Sequence, residues 1–449
     1  MSDREPVGTS APNRSGWLAG WAQTNADLQR LKTMHPMLDA VIDQVDGRRI
    51  RIGKQWLIDY ASCNYLGFDL DPEIIAAVPE YLAEWGTHPS WSRLLGSPVL
   101  YEQIEDQLAR LLGAEDVLAL PTITHIHMSV IPVLAGEGTI YLDGRAHKTI
   151  YDGCSVAHSH GASVRRFRHN DPEDLERQLQ QPSPPPPLIC LDGINSMTGN
   201  PPDLAGLTAL AREHDALLYV DDAHGFGVIG ERRPDELCDY GVGGNGVVRW
   251  TGESYDSVIL VAGLSKAYSS LLAFLACPTR VKDALKVYAS PYLYSGPSPI
   301  ASLATVLSGL HVNAERGDLI RKRLHRNTHR VLASLRELMI RTPNHSGFPL
   351  IEIPLAQADD VDEVGRYLFG RGIYVTVASY PLVPRSEVGF RIQVTAANSD
   401  EEITHLTDVL AEISERFQLQ GPSKEAEEPA FDETWPIAAP LPANVEAEQ

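Results

Sequence analysis

Residues 258–270 read VILVAGLSKAYSS, an apolar run that ends by delivering one lysine, Lys266. Lysine is seldom carried deep into a protein unless its ammonium is paired or its amine is used. In a desolvated pocket the amine loses its proton more readily and can form a Schiff base with a carbonyl. A second apolar run, at residues 217–225, reads LLYVDDAHG and ends in Asp221, Asp222 and His224. Ligands of open α/β sheets sit outside the carboxyl ends of the strands, so Asp221, His224 and Lys266 can share one sheet edge. One aspartate at a strand end is often only a turn or helix cap; an acid, a histidine and a lysine at the ends of two apolar strands make a stronger pattern. An amine for a Schiff base and a carboxylate that keeps a pyridine nitrogen protonated are the two demands of pyridoxal phosphate, whose ring serves as an electron sink.

These residues need a scaffold, and the apolar pattern supplies one. Helical spacing is found at 73–84, 99–112, 125–135 and 203–214, and short apolar strands at 116–120, 139–142, 163–167, 188–192, 216–220 and 258–262. Such alternation predicts an α/β fold with a large, mostly parallel sheet sandwiched by helices. Upstream, 17–43 has helical spacing and a hairpin is expected near Asp46-Gly47. From about residue 320 the pattern changes: a helix at 318–340, strands at 350–353, 372–376 and 390–394, and helices at 359–370 and 399–415 predict a smaller C-terminal α+β domain. The expected organisation is a disordered tail at 1–15, a helix and hairpin at 16–60, a large cofactor-binding domain at 61–317, a small domain at 318–418 and a disordered acidic tail at 419–449. The GxGxxG match at Gly241–Gly246 is set aside as a loop, because no convincing strand precedes it and no amphipathic helix follows.

Composition narrows the function class. The 449 residues carry a formal charge of −21, which repels nucleic-acid backbones, so no nucleic-acid partner is expected. No apolar run approaches the ~20 residues of a membrane span, and the N-terminus has no apolar signal core, so a cytoplasmic location is expected. The five cysteines are widely spaced with no CxxC pair, which argues against a disulfide framework and a structural zinc site.

The quoted stretches, with NYLG (64–67), YLDGRAHKTIYDG (141–153), RHNDPEDLE (168–176), SMTGN (196–200) and the YPLVP run at 380–384, resemble in order and spacing the fold-type I pyridoxal-phosphate enzymes, and within them the α-oxoamine synthases. The resemblance spans about residue 64 to about 415. It implies that Lys266 is the Schiff-base lysine, Asp221 the partner of the pyridinium nitrogen, and His147 the residue stacked on the ring. His224 and Ser196 match the pair that hydrogen-bonds the ring hydroxyl. Thr122, Ile123 and Thr124 occupy the turn that cradles the phosphate at a helix N-terminus, a favourable place for an anion, and Ser265 is expected to reach it too. Ser295 matches a phosphate contact from a neighbouring subunit, which implies a homodimer. Arg391 and Asn64 match the groups that hold the amino acid's carboxylate, with Lys266, His224 and His147 as the catalytic set.

The implied activity is condensation of an amino acid with an acyl thioester, carried on coenzyme A or an acyl carrier protein, with loss of carbon dioxide to give an α-aminoketone. Transamination, retro-aldol cleavage or elimination at the same site is the alternative, and a non-catalytic binding protein is the alternative of another class. The chain departs from the family at Gly263, where a threonine is usual, at the Thr-Ile-Thr phosphate turn, at Trp91 in a loop usually rich in Gly and Ser, at Tyr101 in place of a histidine, and in the bulky Leu271-Leu-Ala-Phe-Leu that replaces glycines.

Overall fold

The computed structural model describes residues 36–378, 387–417 and 419. The expected N-terminal tail, the expected C-terminal tail apart from Leu419, which is buried, most of the 17–43 segment and the YPLVP run lie outside the described residues. Within 36–43 the chain forms a turn and an extended connection instead of the end of a helix. Strands β1 (Gln44–Asp46) and β2 (Arg49–Ile52) then form the expected hairpin.

Seven strands make the main sheet: β4 (Asp116–Leu120), β5 (Thr139–Asp143), β6 (Ser163–Phe167), β7 (Pro187–Asp192), β8 (Leu217–Asp221), β9 (Val258–Gly263) and β10 (Ala273–Cys277). Their order is β4-β10-β9-β8-β7-β5-β6, and β5 to β9 run parallel. All six residues of β9 are buried, as expected of a strand covered on both faces. One buried cluster fills each side of the sheet. The chain leaves β5 toward β6 on one side and returns as β7 on the other, so the order reverses between β5 and β7. That reversal opens a crevice at the carboxyl edge.

β10 was not expected from the sequence. It pairs antiparallel with both β9 and β4. The residues read as bulky replacements for glycines are its first turn of strand: Leu272 is buried and Ala273, Phe274 and Leu275 lie within the sheet. Lys266 therefore sits in the hairpin loop joining β9 to β10. That loop is closed by Leu264 N–H to Leu272 O at 2.8 Å and Ser270 N–H to Leu264 O at 3.1 Å.

The helix expected at 318–340 is the second half of a single helix, Ile300–Glu337. It begins 18 residues earlier than expected, directly after Pro299, and runs unbroken across the expected domain boundary at 317. Fully buried Arg321 on this helix reaches Gly227 O at 3.1 Å and Asn313 Oδ1 at 2.7 Å, and pairs with Asp318 at 2.5 Å. It thereby ties the helix to the turn after His224. The Gly241–Gly246 segment packs under the same arginine: a Cβ on Gly244 would lie 2.6 Å from Arg321 Nη1. The glycines there permit close backbone packing.

The C-terminal part forms a three-stranded sheet, with β14 (Gly389–Gln393) between β11 (Leu350–Pro354) and β13 (Thr376–Ala378). The short β12 (Ile373–Tyr374) instead adds in parallel to β3 (Gln55–Asp59) of the N-terminal hairpin. Thus the 372–376 stretch, expected as one strand, is shared between two sheets.

Candidate active site

Four strand ends build the site. Thr122 follows β4, His147 follows β5, Ser196 follows β7, and Asp221 closes β8 one strand away, in register with Asp192 of β7. Lys266 enters from the β9–β10 loop. Among the described residues its amine has no hydrogen-bond or ion-pair partner; burial first, and the Lys266 charge after it, lower the pKa of His147 and His224. Gly227, at φ 87°, locks that loop against the His224 turn: a Cβ there would lie 2.6 Å from Ala267 Cβ.

Asp221 is buried and its carboxylate is fully engaged. Oδ1 accepts from Ala223 N–H at 2.9 Å, and Oδ2 meets His127 Nε2 at 3.0 Å. Burial works against the charge, but the His127 hydrogen bond and nearby positive charge outweigh it, so the pKa of Asp221 stays below the ordinary carboxylate value. An ionised carboxylate only accepts, so His127 Nε2 carries the proton of this bond. His127 Nδ1 lies 2.8 Å from Tyr219 Oη, whose proton is held firmly because burial raises its pKa. The Tyr219 hydroxyl therefore donates to Nδ1 and fixes the imidazole's tautomer.

His127 and Tyr219 were not anticipated. The signal in the sequence was a histidine on the apolar face of the helix Ile123–Ala135, among Ile126, Val130 and Ile131. A close helix crossing keeps it there: a Cβ on Gly153, in the helix Lys148–Ser159, would lie 2.4 Å from His127 O. Asp192 and Asp222 flank Asp221 but behave differently. Burial, with Asp221 beside it, raises Asp192 well above the carboxylate range, and burial pushes Asp222 up to about 8.

His224 is buried and strongly favours its neutral form, through burial first and the Lys266, Arg391 and His147 charges after it. Its Nδ1 lies 2.8 Å from Tyr65 Oη. Burial raises the Tyr65 pKa, so the hydroxyl stays protonated and holds the imidazole in place. Tyr65 is the second residue of NYLG, a motif noticed without a role for its tyrosine. His147 is exposed; its backbone N–H donates to Asp192 Oδ1 at 2.9 Å and its side chain caps the next helix.

Thr122 caps the helix Ile123–Ala135, accepting from His125 N–H at 3.3 Å. This leaves the N–H groups of Ile123 and Thr124 without helical partners, as the first turn of any helix must. A Cβ built on Gly263 would lie 3.6 Å from Ser265 Oγ and 3.8 Å from Ile123 Cβ. Ser265 and the helix N-terminus therefore face the same space, and the usual threonine at 263 would only narrow it.

Arg391 extends from β14 into the crevice. Nη1 donates to Ser196 O at 2.5 Å, and with the Gln393 amide turned to suit its neighbours, its oxygen accepts from Arg391 Nε at 2.7 Å and Nη2 at 3.0 Å. Across the strand pair lies Glu352, whose carboxyl burial raises to about 7. Asn64 is near but committed: Nδ2 donates to Asp69 at 3.0 Å and Oδ1 accepts from Ser269 Oγ at 3.1 Å. Ser295 is not brought to the others; its hydroxyl donates to Gly296 O at 3.0 Å in a loop before the long helix. Tyr101, where the family has a histidine, is core: its hydroxyl accepts from Ser298 N–H at 2.7 Å and Arg93 stacks 4.0 Å from its ring.

The donor set fits pyridoxal phosphate: a helix N-terminus for an anion, an ionised aspartate for a pyridinium, a neutral histidine for a ring oxygen and a partnerless lysine. The comparisons agree. Residues 57–410 match the profile of the aminotransferase class I and II family. The chain is 30% identical over 367 residues to the serine palmitoyltransferase of Caulobacter vibrioides, covering 81% of this chain and 87% of that protein. It is 32% identical over 361 residues to the 8-amino-7-oxononanoate synthase of Saccharophagus degradans, covering 80% and 87%. Among solved structures, the S. paucimobilis serine palmitoyltransferase with a bound PLP–myriocin adduct superposes with a TM-score of 0.80 at 25% identity, covering 89% of this chain and 98% of that one. The chain therefore belongs to the aminotransferase class I and II family of pyridoxal-phosphate enzymes.

Proposed function

We propose that this enzyme condenses an amino acid with an acyl thioester, releasing carbon dioxide and the free thiol and forming an α-aminoketone. The observation that carries this reading is the partnerless Lys266 amine between two oriented pairs, Asp221–His127 and His224–Tyr65. The relatives supply the reaction class: one is named for palmitoyl transfer to serine, the other for an amino-ketone product. Transaminase, retro-aldol and non-catalytic readings have no observation of their own in their favour.

Bound pyridoxal phosphate supplies an electron sink for the pair released when a bond to the amino acid's α-carbon breaks. The chain does the rest. Thr122, Ile123, Thr124 and Ser265 hold the phosphate, Asp221 keeps the ring nitrogen protonated, and His147 covers the ring face. His224 and Ser196 hold the ring oxygen. The Lys266 amine would serve as the base at the α-carbon. Arg391 anchors the substrate carboxylate with the N–H groups that Ser196 and Gln393 leave over, which sets the angle at which the α-carbon bonds meet the ring. Asn64, bonded to Asp69 and Ser269, supports this wall next to the Lys266 loop.

The direct test is product mass spectrometry after incubation with pooled amino acids and acyl thioesters. The expected product has the mass of the amino acid plus the acyl group, less carbon dioxide and the one hydrogen that leaves with the thiol, and it is absent with Lys266→Ala. Borohydride reduction and peptide mapping should leave the cofactor on Lys266. A 2-oxo acid or a cleavage product instead of the aminoketone would overturn the reading.

Losing a charged hydrogen bond costs about 1.5–3 kcal/mol, and ~1.4 kcal/mol is tenfold. Arg391→Ala should therefore weaken amino-acid binding by about ten- to a few-hundredfold, with the cofactor's own absorbance unchanged. Arg391→Lys should recover only part, because an ammonium cannot present the fork. An unchanged dissociation constant would place the carboxylate elsewhere.

We also propose a homodimer in which Ser295 serves the partner's phosphate site. Trp91, Leu94, Leu95 and Tyr294 are all more than half exposed in the single chain, an apolar surface beside the Ser295 loop that a second copy would cover. Co-expressed Lys266→Ala and Ser295→Asp subunits, each inactive alone, should regain activity in one of the two mixed sites. No recovery in a confirmed heterodimer would rule out the crossover.

A further inference from the structure

On the long helix Ile300–Glu337, one and two turns beyond Arg321, two histidines stand four residues apart, His325 and His329. Residues i and i+4 share a helix face. Their rings lie 3.9 Å apart, tilted by 35°. The loop after His224 brings Asp239 over them, with Oδ2 3.5 Å from His325 Nε2. One ligand atom from each of the three residues lies within 4.8 Å of the others. His325 Nε2 is shut off from solvent and makes no hydrogen bond.

We propose that His325, His329 and Asp239 bind a divalent transition ion of the zinc class. Two imidazoles at helical i, i+4 spacing with one carboxylate make a nitrogen-rich set suited to zinc, cobalt or nickel rather than calcium or magnesium. Bond lengths near 2.0–2.1 Å put tetrahedral ligands about 3.4 Å apart, so modest side-chain rotations close the present arrangement. Asp239 is free to make them, its side chain being 72% exposed. The nearest lysine does not compete, because Lys322 leans to Glu236 at 3.5 Å. A cleft of about 380 Å³ bordered by Glu236, Cys238, Lys322 and His325 gives an entry path. The fourth position is left to water.

Such an ion would act as a brace for the active site's back wall. Tyr240, next to Asp239, packs edge-on against His325 at 5.0 Å and donates to Gly347 O at 2.8 Å. Its ring meets Phe348, which packs on Tyr65, the partner of His224.

The test is calorimetric titration of untagged, chelator-treated holoenzyme with zinc chloride, repeated with cobalt chloride followed by absorbance. Supporting ligands outside the coordination sphere are alone worth about 10–100-fold in metal affinity, so losing a true ligand should cost at least about a hundredfold. One equivalent of zinc per chain, a tetrahedral cobalt spectrum, and that loss of affinity in both Asp239→Asn and His329→Asn are expected. Asp239 is on the surface, so its variant keeps the test decisive should His329→Asn fold poorly. Absence of stoichiometric binding, or binding undiminished in Asp239→Asn, would overturn the proposal.

Discussion

The site depends on keeping one carboxylate charged in a place that resists charge. Asp192, Asp221 and Asp222 cluster at the ends of two adjacent strands, all buried. Three negative charges there would repel one another and lose their water, a cost that neutralisation avoids. The structure resolves this by separating their environments. Asp221 receives the Ala223 N–H and the oriented His127 imidazole and stays ionised. Asp222, although its Oδ2 accepts from Val247 N–H at 2.7 Å, keeps Oδ1 unpartnered and retains its proton up to about pH 8. Asp192 is pushed the same way. One negative charge is left for one pyridinium, an assignment of roles by environment that acid–base sites use widely.

The surrounding architecture follows from that requirement. His127 must be immobile, which the tight crossing at Gly153 and the Tyr219 hydroxyl provide. The Lys266 loop must sit against the His224 turn, which Gly227 and the β9–β10 hairpin provide. His224 must stay neutral and in place, which burial and Tyr65 arrange. Arg391 arrives from a different sheet, and its bond to Ser196 O joins that sheet to the crevice.

Much of this was legible in the sequence because strand ends are written locally. An apolar run followed by DDAH or by LSKA states both the strand and what its end presents, and β8, β9 and the helix before β8 fell within a residue or two of expectation, whereas the short helix Gly246–Thr251 between them was not expected. What was not legible depends on partners far apart in the chain. His127 looks like core until β8 places Asp221 against it, and Tyr65 needs His224, 159 residues later, to gain a purpose. β10 was hidden because five apolar residues after a loop read equally as packing or strand, and only the antiparallel return from β9 decides. Asn64 shows the converse: a motif position suggests a ligand contact, while its amide donates to Asp69 in the local turn and accepts from Ser269 of the Lys266 loop. The departures from the family are structural where they can be followed, as at Tyr101 and Gly263, whereas Trp91 remains on the surface, half exposed.

The central claim is that Asp221 is ionised and holds the cofactor's ring nitrogen in its protonated form. Reconstituting the enzyme with pyridoxal phosphate labelled with nitrogen-15 in the ring and recording its nitrogen resonance tests this directly. The account predicts a protonated nitrogen at neutral pH in the unaltered protein, partial loss of that protonation in His127→Phe, and an unprotonated nitrogen in Asp221→Asn. A ring nitrogen unprotonated in the unaltered protein, or still protonated in Asp221→Asn, would contradict it.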